Sequence, residues 1–138
     1  MPSTNLRNLF FGAAFLAATG GATAESQADQ AAHVASPEYY SVLKENEHVL
    51  VLKMVLQPGE SDAMHRHHNE TVYFQKGGQL TITKPGGESF QANVPDGHVM
   101  WHESWTHQVT NSGKSEVVAI IVEDKTWGNG ARCGHNSR

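Results

Sequence analysis

Four residues between positions 65 and 107 have side chains that commonly bind transition metals. His65 and His67 are two apart, so in an extended backbone both imidazoles project to the same face. Glu70 begins the next apolar run, and His107 opens a later one. Together these groups supply nitrogen and oxygen ligands suited to Fe, Mn, Co, Ni, Cu or Zn. By itself an H-x-H pair indicates a metal only weakly, and the alternative is a polar loop that is rich in histidine.

The chain that must position these residues is a series of short β-type runs separated by turn residues. Alternation in the run 79–83 places Leu80 and Ile82 on one buried face, whereas the run 115–123 is apolar enough to be buried on both faces. We find no helical pattern after residue 37. The sequence therefore predicts an all-β, antiparallel double-sheet barrel of eight or so strands. The predicted strands are residues 39–43, 48–56, 71–75, 79–83, 88–94, 98–102, 107–111 and 115–123.

The N-terminus has the layout of a secretory signal peptide. Arg7 precedes an apolar run at 9–18, and small residues follow up to Ala22-Thr23-Ala24, a typical cleavage signature. A membrane anchor is disfavoured because a run of about 10 residues cannot span ~30 Å of hydrocarbon. We therefore predict a cleaved signal peptide and a periplasmic or secreted protein that is not embedded in the membrane. The predicted divisions are 1–24 signal peptide, 25–37 flexible lead-in with at most a short helical turn, 38–123 barrel and 124–138 polar tail.

Charge and cysteine content exclude some classes of partner. The 138-residue chain has a net charge of −4, and removal of Arg7 with the signal peptide leaves −5. An acidic chain without a basic stripe is not expected to bind nucleic acid, whose recognition depends on phosphate neutralisation. Cys133 is the only cysteine, so no internal disulfide can form. It is either a bystander thiol or the site of an intermolecular disulfide.

The histidine-rich stretch resembles the first conserved motif of the cupin family. Gly59 is followed by five residues, then His65-Arg66-His67, then Glu70, six residues and Gly77. Two residues separate His67 from Glu70, one fewer than the usual minimum. Counting back from Gly77 nevertheless places Glu70 at the ligand position of that motif.

A later stretch is similar to the second cupin motif. Gly97 is followed by a β-type run, then by His107 and, four positions on, by Asn111. The residues 103–107 lack the usual proline and glycine, and this loop is also one residue short. The two resemblances together cover about residues 38–123.

The resemblance implies a single cupin barrel, also called a double-stranded β-helix or jelly roll. It implies a divalent transition metal (Fe, Mn, Zn, Ni or Cu) held by His65, His67, Glu70 and His107, and a small-molecule ligand or substrate. Trp105, in a predicted loop, is a candidate for contact with that ligand, and no catalytic residue can be assigned. Similar proteins often pair through edge strands, which favours a homodimer.

Other aromatic residues near the second motif receive weaker interpretations. Trp101 is expected in the core. His98 and His102 are interpreted as partly exposed surface residues, with a supporting role beside the metal ligands as the alternative.

Three functions are compatible with the predicted site. The first is a mononuclear metalloenzyme acting on a small organic acid or enol, with dioxygenase chemistry most common among similar proteins and isomerase or lyase chemistry also known. A narrower similarity joins the chain to small single-domain bacterial cupins, some of them labelled with beta-alanine degradation. The second is a non-catalytic periplasmic module that binds a metal or small carboxylate. The third is a structural barrel with vestigial histidines.

Overall fold

The structure, a computed structural model, describes residues 26–126. The predicted signal peptide, most of the polar tail and Cys133 lie outside these residues. A 3₁₀ turn (Gln27–Asp29) and a one-turn helix, α1 (Ala32–Ala35), precede the strands. The strands are β1 (Tyr40–Glu45), β2 (Val49–Leu56), β3 (His65–His67), β4 (Asn69–Lys76), β5 (Gly78–Thr83), β6 (Ser89–Val94), β7 (Val99–His102), β8 (Trp105–Asn111) and β9 (Val117–Asp124).

The nine strands form two antiparallel sheets. One sheet has the order β1-β2-β9-β4-β7, and the other has the order β3-β8-β5-β6. All strand pairs within the two sheets are antiparallel. The predicted all-β double-sheet architecture is therefore confirmed. Neither helical element in residues 26–126 is long and apolar enough to cross a membrane.

The core lies between the sheets and follows the two-residue period of the strands. In β2, Leu50, Leu52, Met54 and Leu56 are buried, and the residues between them are only half-buried. Leu52 lies opposite Ile121 of β9 in the register, and this strand is buried along most of its length, as its apolar sequence predicts. Each large aliphatic side chain buried in this way contributes roughly 1.5–3 kcal/mol to the free energy of unfolding.

Two glycines of the first motif have backbone roles. Gly59 has a φ of +83°, a left-handed backbone conformation that residues other than glycine rarely adopt. At Gly77 an added Cβ would collide with the carbonyl oxygen of Val94. Gly77 therefore allows β4 to end and β5 to begin against the end of β6.

The strands around the second motif differ from the prediction at two tryptophans. Trp105 was expected in a loop, but it is the first residue of β8 and lies opposite His67. Trp101 was expected in the core, and that prediction is wrong because its side chain is 59% exposed. The alternation of β7 turns Met100 and His102 inward, which places Trp101 on the outer face opposite Thr71.

The segment 26–37 packs against the edge of β3. The backbone N–H of Arg66 donates to the carbonyl of Gln30 (2.8 Å), and Ala31 forms a parallel bridge with Arg66. The Ser36 hydroxyl, fully buried, accepts from the N–H of Ala63 at 2.8 Å. Because β3 is the outermost strand of its sheet, the segment predicted as a flexible lead-in covers an edge that would otherwise be unpaired.

Candidate metal centre

Three of the four predicted ligands meet between the sheets. His65 and His67 project from β3 to the same side, and both are buried, as the two-residue spacing predicts. His107 lies on β8 directly opposite His65 and is also buried. One ring nitrogen from each of the three lies within 4.8 Å of the other two. This histidine cluster could hold a metal ion.

Hydrogen bonds fix which nitrogens of the first two histidines carry hydrogen. Nδ1 of His65 lies 2.8 Å from the carbonyl oxygen of Ala63, and Nδ1 of His67 lies 2.7 Å from Oε1 of Glu123. A carbonyl and a carboxylate can only accept, so each Nδ1 is the donor. The two Nε2 atoms then face each other across 2.8 Å. Two lone pairs at that distance repel unless a cation, either a proton or a metal ion, lies between or beside them.

Burial keeps most of the histidine cluster neutral. Burial lowers the pKa of His65 to about 4, and burial likewise holds the pKa of His107 well below its ordinary value. Burial alone would lower the pKa of His67 too, but the carboxylates of Glu70 and Glu123 outweigh it and raise that pKa above the ordinary value. The cluster therefore presents at least two neutral imidazoles, the form that binds metal.

Glu123 and Asp62 belong to the site although the sequence analysis did not single them out. Glu123 is buried at the end of β9, where it accepts from His67 and from the N–H of His68 (3.0 Å). Burial by itself would raise the pKa of Glu123, but the hydrogen bond and the charge of His67 lower it below the ordinary value. The available signal was position: Glu123 continues the inward-facing series of Ala119 and Ile121.

Asp62 supports the cluster from the side of β1. It is 2% exposed, accepts from the Tyr40 hydroxyl (2.7 Å) and the Val109 N–H (2.6 Å), and lies 3.7 Å from Nδ1 of His65. Burial raises the pKa of Asp62 to about 6, against the lowering effect of these hydrogen bonds. Asp62 lies outside the nine strands, so no strand period indicated its inward orientation.

Glu70, the fourth predicted ligand, lies beside the histidine cluster. Its Oε1 accepts from Nε1 of Trp105 at 2.6 Å. Its Oε2 is buried, has no hydrogen-bond partner among the described residues and lies 3.4 Å from Nδ1 of His67. Burial raises the pKa of Glu70. The charge of His67 and the hydrogen bond from Trp105 lower this pKa, but their effect is smaller than that of burial. Its carboxylate does not join the group of nitrogens within 4.8 Å of one another.

The histidine cluster fits a divalent transition metal. Nδ1 of His107 and Oε2 of Glu70 are both buried. Neither atom has a hydrogen-bond partner in the described part of the chain. Buried polar atoms without partners are rare in native proteins and indicate a missing ion or water. Three histidines form one of the ligand sets that hold catalytic metals in proteins.

Trp105 and His102 form one wall of the site. The Trp105 ring stacks on His102, with centroids 3.8 Å apart and planes inclined by 16°, and its centroid lies 3.8 Å from that of His107. His102, interpreted from sequence as a surface residue, is half-buried in this stack, whereas His98 is exposed. The stack fixes the indole that holds Glu70.

A cavity of about 310 Å³ opens beside the cluster. Its lining includes His67, Glu70, His102, Trp105 and His107. Twelve of its eighteen lining residues are alanine, valine, leucine, isoleucine, methionine or phenylalanine, so most of the cavity wall is apolar.

Comparisons with known proteins found similarity in solved structures only. A scan against protein-family models gave no match, and neither did a search of curated proteins. A cupin domain from Bordetella pertussis Tohama I superposes with a TM-score of 0.57 at 28% identity, over 62% of this chain and 91% of that chain. These results give no support to the beta-alanine label.

Two further solved structures share the fold at lower identity. An RmlC-like cupin with a double-stranded β-helix fold from Methanocaldococcus jannaschii has a TM-score of 0.51 at 20% identity, over 62% of this chain and 77% of that chain. A conserved protein with a double-stranded β-helix domain from Klebsiella pneumoniae has a TM-score of 0.50 at 19% identity, over 64% and 78%.

Proposed function

We propose that this chain, which shares the fold of solved cupin domains, binds one divalent transition-metal ion through His65, His67 and His107. The observation that carries the proposal is the pair of Nε2 atoms that face each other across 2.8 Å while both Nδ1 hydrogens are donated elsewhere. The raised pKa of His67 favours a proton between these two nitrogens, and a metal cation would displace that proton and bind both lone pairs. Fe, Mn, Zn, Ni and Cu all accept such a ligand set.

We assign Glu70 a second function at the same site. Its unpartnered Oε2 is available either as a fourth ligand or as the group that accepts a proton from a bound substrate. Trp105 restricts the carboxylate by holding Oε1, so one oxygen is positioned and the other is free.

The proposed activity is that of a mononuclear metalloenzyme acting on a small organic acid or enol, with dioxygenase chemistry favoured over isomerase or lyase chemistry. A bound metal would supply Lewis acidity or hold O₂ beside the substrate. The chain's own residues would orient the ligands: Ala63 and Glu123 fix the rings of His65 and His67. The apolar cavity wall would exclude water from the bound substrate.

A non-catalytic module that binds a metal or a small carboxylate is the alternative. Two donors of the cavity are already engaged, since the Tyr40 hydroxyl donates to Asp62 and Trp105 donates to Glu70. Few groups are then left to move a proton during a reaction. Consumption of O₂ or of a candidate substrate by the iron-loaded protein would refute this alternative.

We also propose export, as residues 1–24 predict, and pairing of two copies through the outer face of the five-stranded sheet. On that face Tyr73, Val99, Trp101 and Val122 are 44%, 58%, 59% and 40% exposed. The register brings them together, since Tyr73 lies opposite Val99, and Thr71 lies between Trp101 and Val122. An apolar patch of this kind typically marks an interaction surface. Cell fractionation tests the export.

Elemental analysis tests the metal site. Protein purified without a tag should contain near-stoichiometric metal, and the His65→Ala/His107→Ala variant should contain none. The control, His48→Ala/His98→Ala, removes two exposed histidines and should keep its metal. Absence of metal from the wild type after incubation with each candidate ion would overturn the proposal.

A further inference from the structure

We propose that the ligand of the cavity has an apolar body and a single anionic or enolic oxygen group, and is not a dicarboxylate or a phosphorylated compound. This inference rests on the proposed function, since it assigns the oxygen group to the metal. It restricts the proposed small organic acids and enols to compounds that, apart from one oxygen group, consist of aliphatic or aromatic hydrocarbon.

The polar groups of the cavity lie in one connected set. His67 is next to Glu70 (3.4 Å), Glu70 accepts from Trp105, and Trp105 is in ring contact with His102 and His107. Tyr40 is the other lining residue with a polar group, and its hydroxyl already donates to Asp62. The metal end of the cavity therefore offers polar partners to one oxygen group of the ligand.

The rest of the wall offers nothing for a second anionic group. Among the described residues that line the cavity there is no lysine or arginine, and away from the cluster the wall consists of side chains such as Leu80, Ile82, Val94 and Met100. An ionised group moved from water to such a wall loses its hydration without gaining a partner, which is strongly unfavourable. A second carboxylate or a phosphate would meet this penalty.

A neighbouring outer recess does not change this conclusion. It shares Phe90, His102 and Trp105 with the cavity and includes Lys84. The Lys84 ammonium lies 5.7 Å above the Phe90 ring and 4.0 Å from the Glu88 carboxylate. This cation is therefore outside the cavity and close to an acidic partner.

The volume sets the size of the apolar body. An apolar cavity of about 150 Å³ is enough to hold benzene, and this cavity measures about 310 Å³. It is also at the lower end of the range of small-molecule sites, roughly 300–1,000 Å³. The body of the ligand should therefore be about one or two rings in size.

A matched pair of probes tests the inference. 3-Phenylpropanoate and succinate share a propanoate and differ only in a phenyl group or a second carboxylate. Each is titrated by calorimetry into the Zn²⁺-loaded protein, because zinc is redox-inert and prevents turnover. We expect 3-phenylpropanoate to bind at least about ten-fold more tightly, since the second carboxylate would be desolvated without a partner. Equal or tighter binding of succinate would overturn the inference.

A parallel titration of the metal-free protein separates this inference from the metal proposal. Both affinities should fall, but the preference for the phenyl compound should remain because it depends on the wall. If the wild type binds no zinc and the preference persists, the metal proposal fails and the apolar cavity stands. If zinc binds and the preference is absent, the cavity inference fails alone.

Two variants locate the binding in the cavity. Ala92 lines the cavity, and Ala92→Phe should fill part of it and weaken 3-phenylpropanoate binding by about ten-fold without changing the zinc content. Asn93→Phe is the matched control, because Asn93 is exposed on the opposite face of β6. Equal affinity in the wild type, in Ala92→Phe and in the control would place the probe elsewhere and overturn the inference. Should Ala92→Phe not fold, the comparison of the two probes in the wild type still decides the question.

Discussion

Replacement of Glu123 by glutamine tests whether the carboxylate behind His67 tunes the metal site. In the wild type Oε1 accepts from Nδ1 of His67 at 2.7 Å, and Oε2 accepts from the N–H of His68 at 3.0 Å. Glutamine has nearly the same shape and can still accept through its carbonyl oxygen, but it carries no charge. The substitution therefore removes the charge and replaces one of the two acceptor oxygens by an amide donor, while it preserves the packing.

The expected loss of affinity follows from the position of this residue. Removing a hydrogen-bond partner behind a ligating histidine typically weakens metal binding by about 10- to 100-fold, which corresponds to roughly 1.4–2.8 kcal/mol. Because glutamine retains one acceptor, we expect Glu123→Gln to lie near the ten-fold end. Glu123→Ala loses both hydrogen bonds and should lie near the 100-fold end.

The assay is a competition for Zn²⁺ against a chromophoric chelator at fixed pH, with thermal unfolding recorded to show that each variant is folded. Glu116→Gln is the matched control, since that carboxylate precedes β9 at the other end and pairs at the surface with Lys76 and Gln57. Its affinity for zinc should stay within about two-fold of the wild type, as expected for an exposed pair far from the metal. A folded Glu123→Gln protein with wild-type affinity would show that Glu123 does not orient a metal ligand.

Three further predictions concern stability and assembly. Zn²⁺ at 100 times its dissociation constant should add about 2.7 kcal/mol to the free energy of unfolding and raise the Tm by roughly 10–20 °C. A chelator should reverse this rise in Tm. An unchanged Tm would contradict metal binding to the folded state. Leu52→Ala should cost about 2–5 kcal/mol in urea unfolding because Leu52 is fully buried. Val42→Ala, at a position 44% exposed, should cost less than about 1 kcal/mol; equal costs would contradict the assigned core. Light scattering should give half the wild-type mass for Trp101→Lys and the full mass for the control Val34→Lys, a position on α1 whose side chain is 55% exposed. A wild-type monomer would refute the pairing.

The sequence predicted what depends on local period and spacing. Alternation of apolar residues located the main strands, and the two-residue spacing of His65 and His67 predicted their common direction. The motif spacing also placed His107 near them, and the structure brings the three together. These features depend on neighbours in the chain and on one strand pair.

The features that the sequence analysis missed depend on contacts between distant residues. Glu123 lies 56 positions from His67, and no local pattern distinguishes an inward acid at a strand end from a surface acid. Residues 99–101 are all apolar, so alternation alone could not decide whether Trp101 faces in or out. Its orientation follows from the register with β4, which places it opposite exposed Thr71.

Glu70 shows a limit of motif spacing. The motif placed its carboxylate among the ligands, and the structure places it next to His67 with one oxygen held by Trp105. The position of Trp105 in β8, and hence this hydrogen bond, could not be inferred from a stretch that reads as a loop. Spacing predicted the residue but not its bonding.

The contact of segment 26–37 with the edge of β3 limits how far the protein can be truncated from its N-terminus. A chain shortened to begin at residue 38 would keep the residues of both motifs, but it would lack the carbonyl of Gln30 and the hydroxyl of Ser36. The three-residue strand that carries His65 and His67 would then have a hydrogen-bonded neighbour on one side only. Its bare edge would be free to pair with other molecules. The smallest piece that contains the motif residues is therefore smaller than the piece that keeps the histidine cluster in its observed geometry.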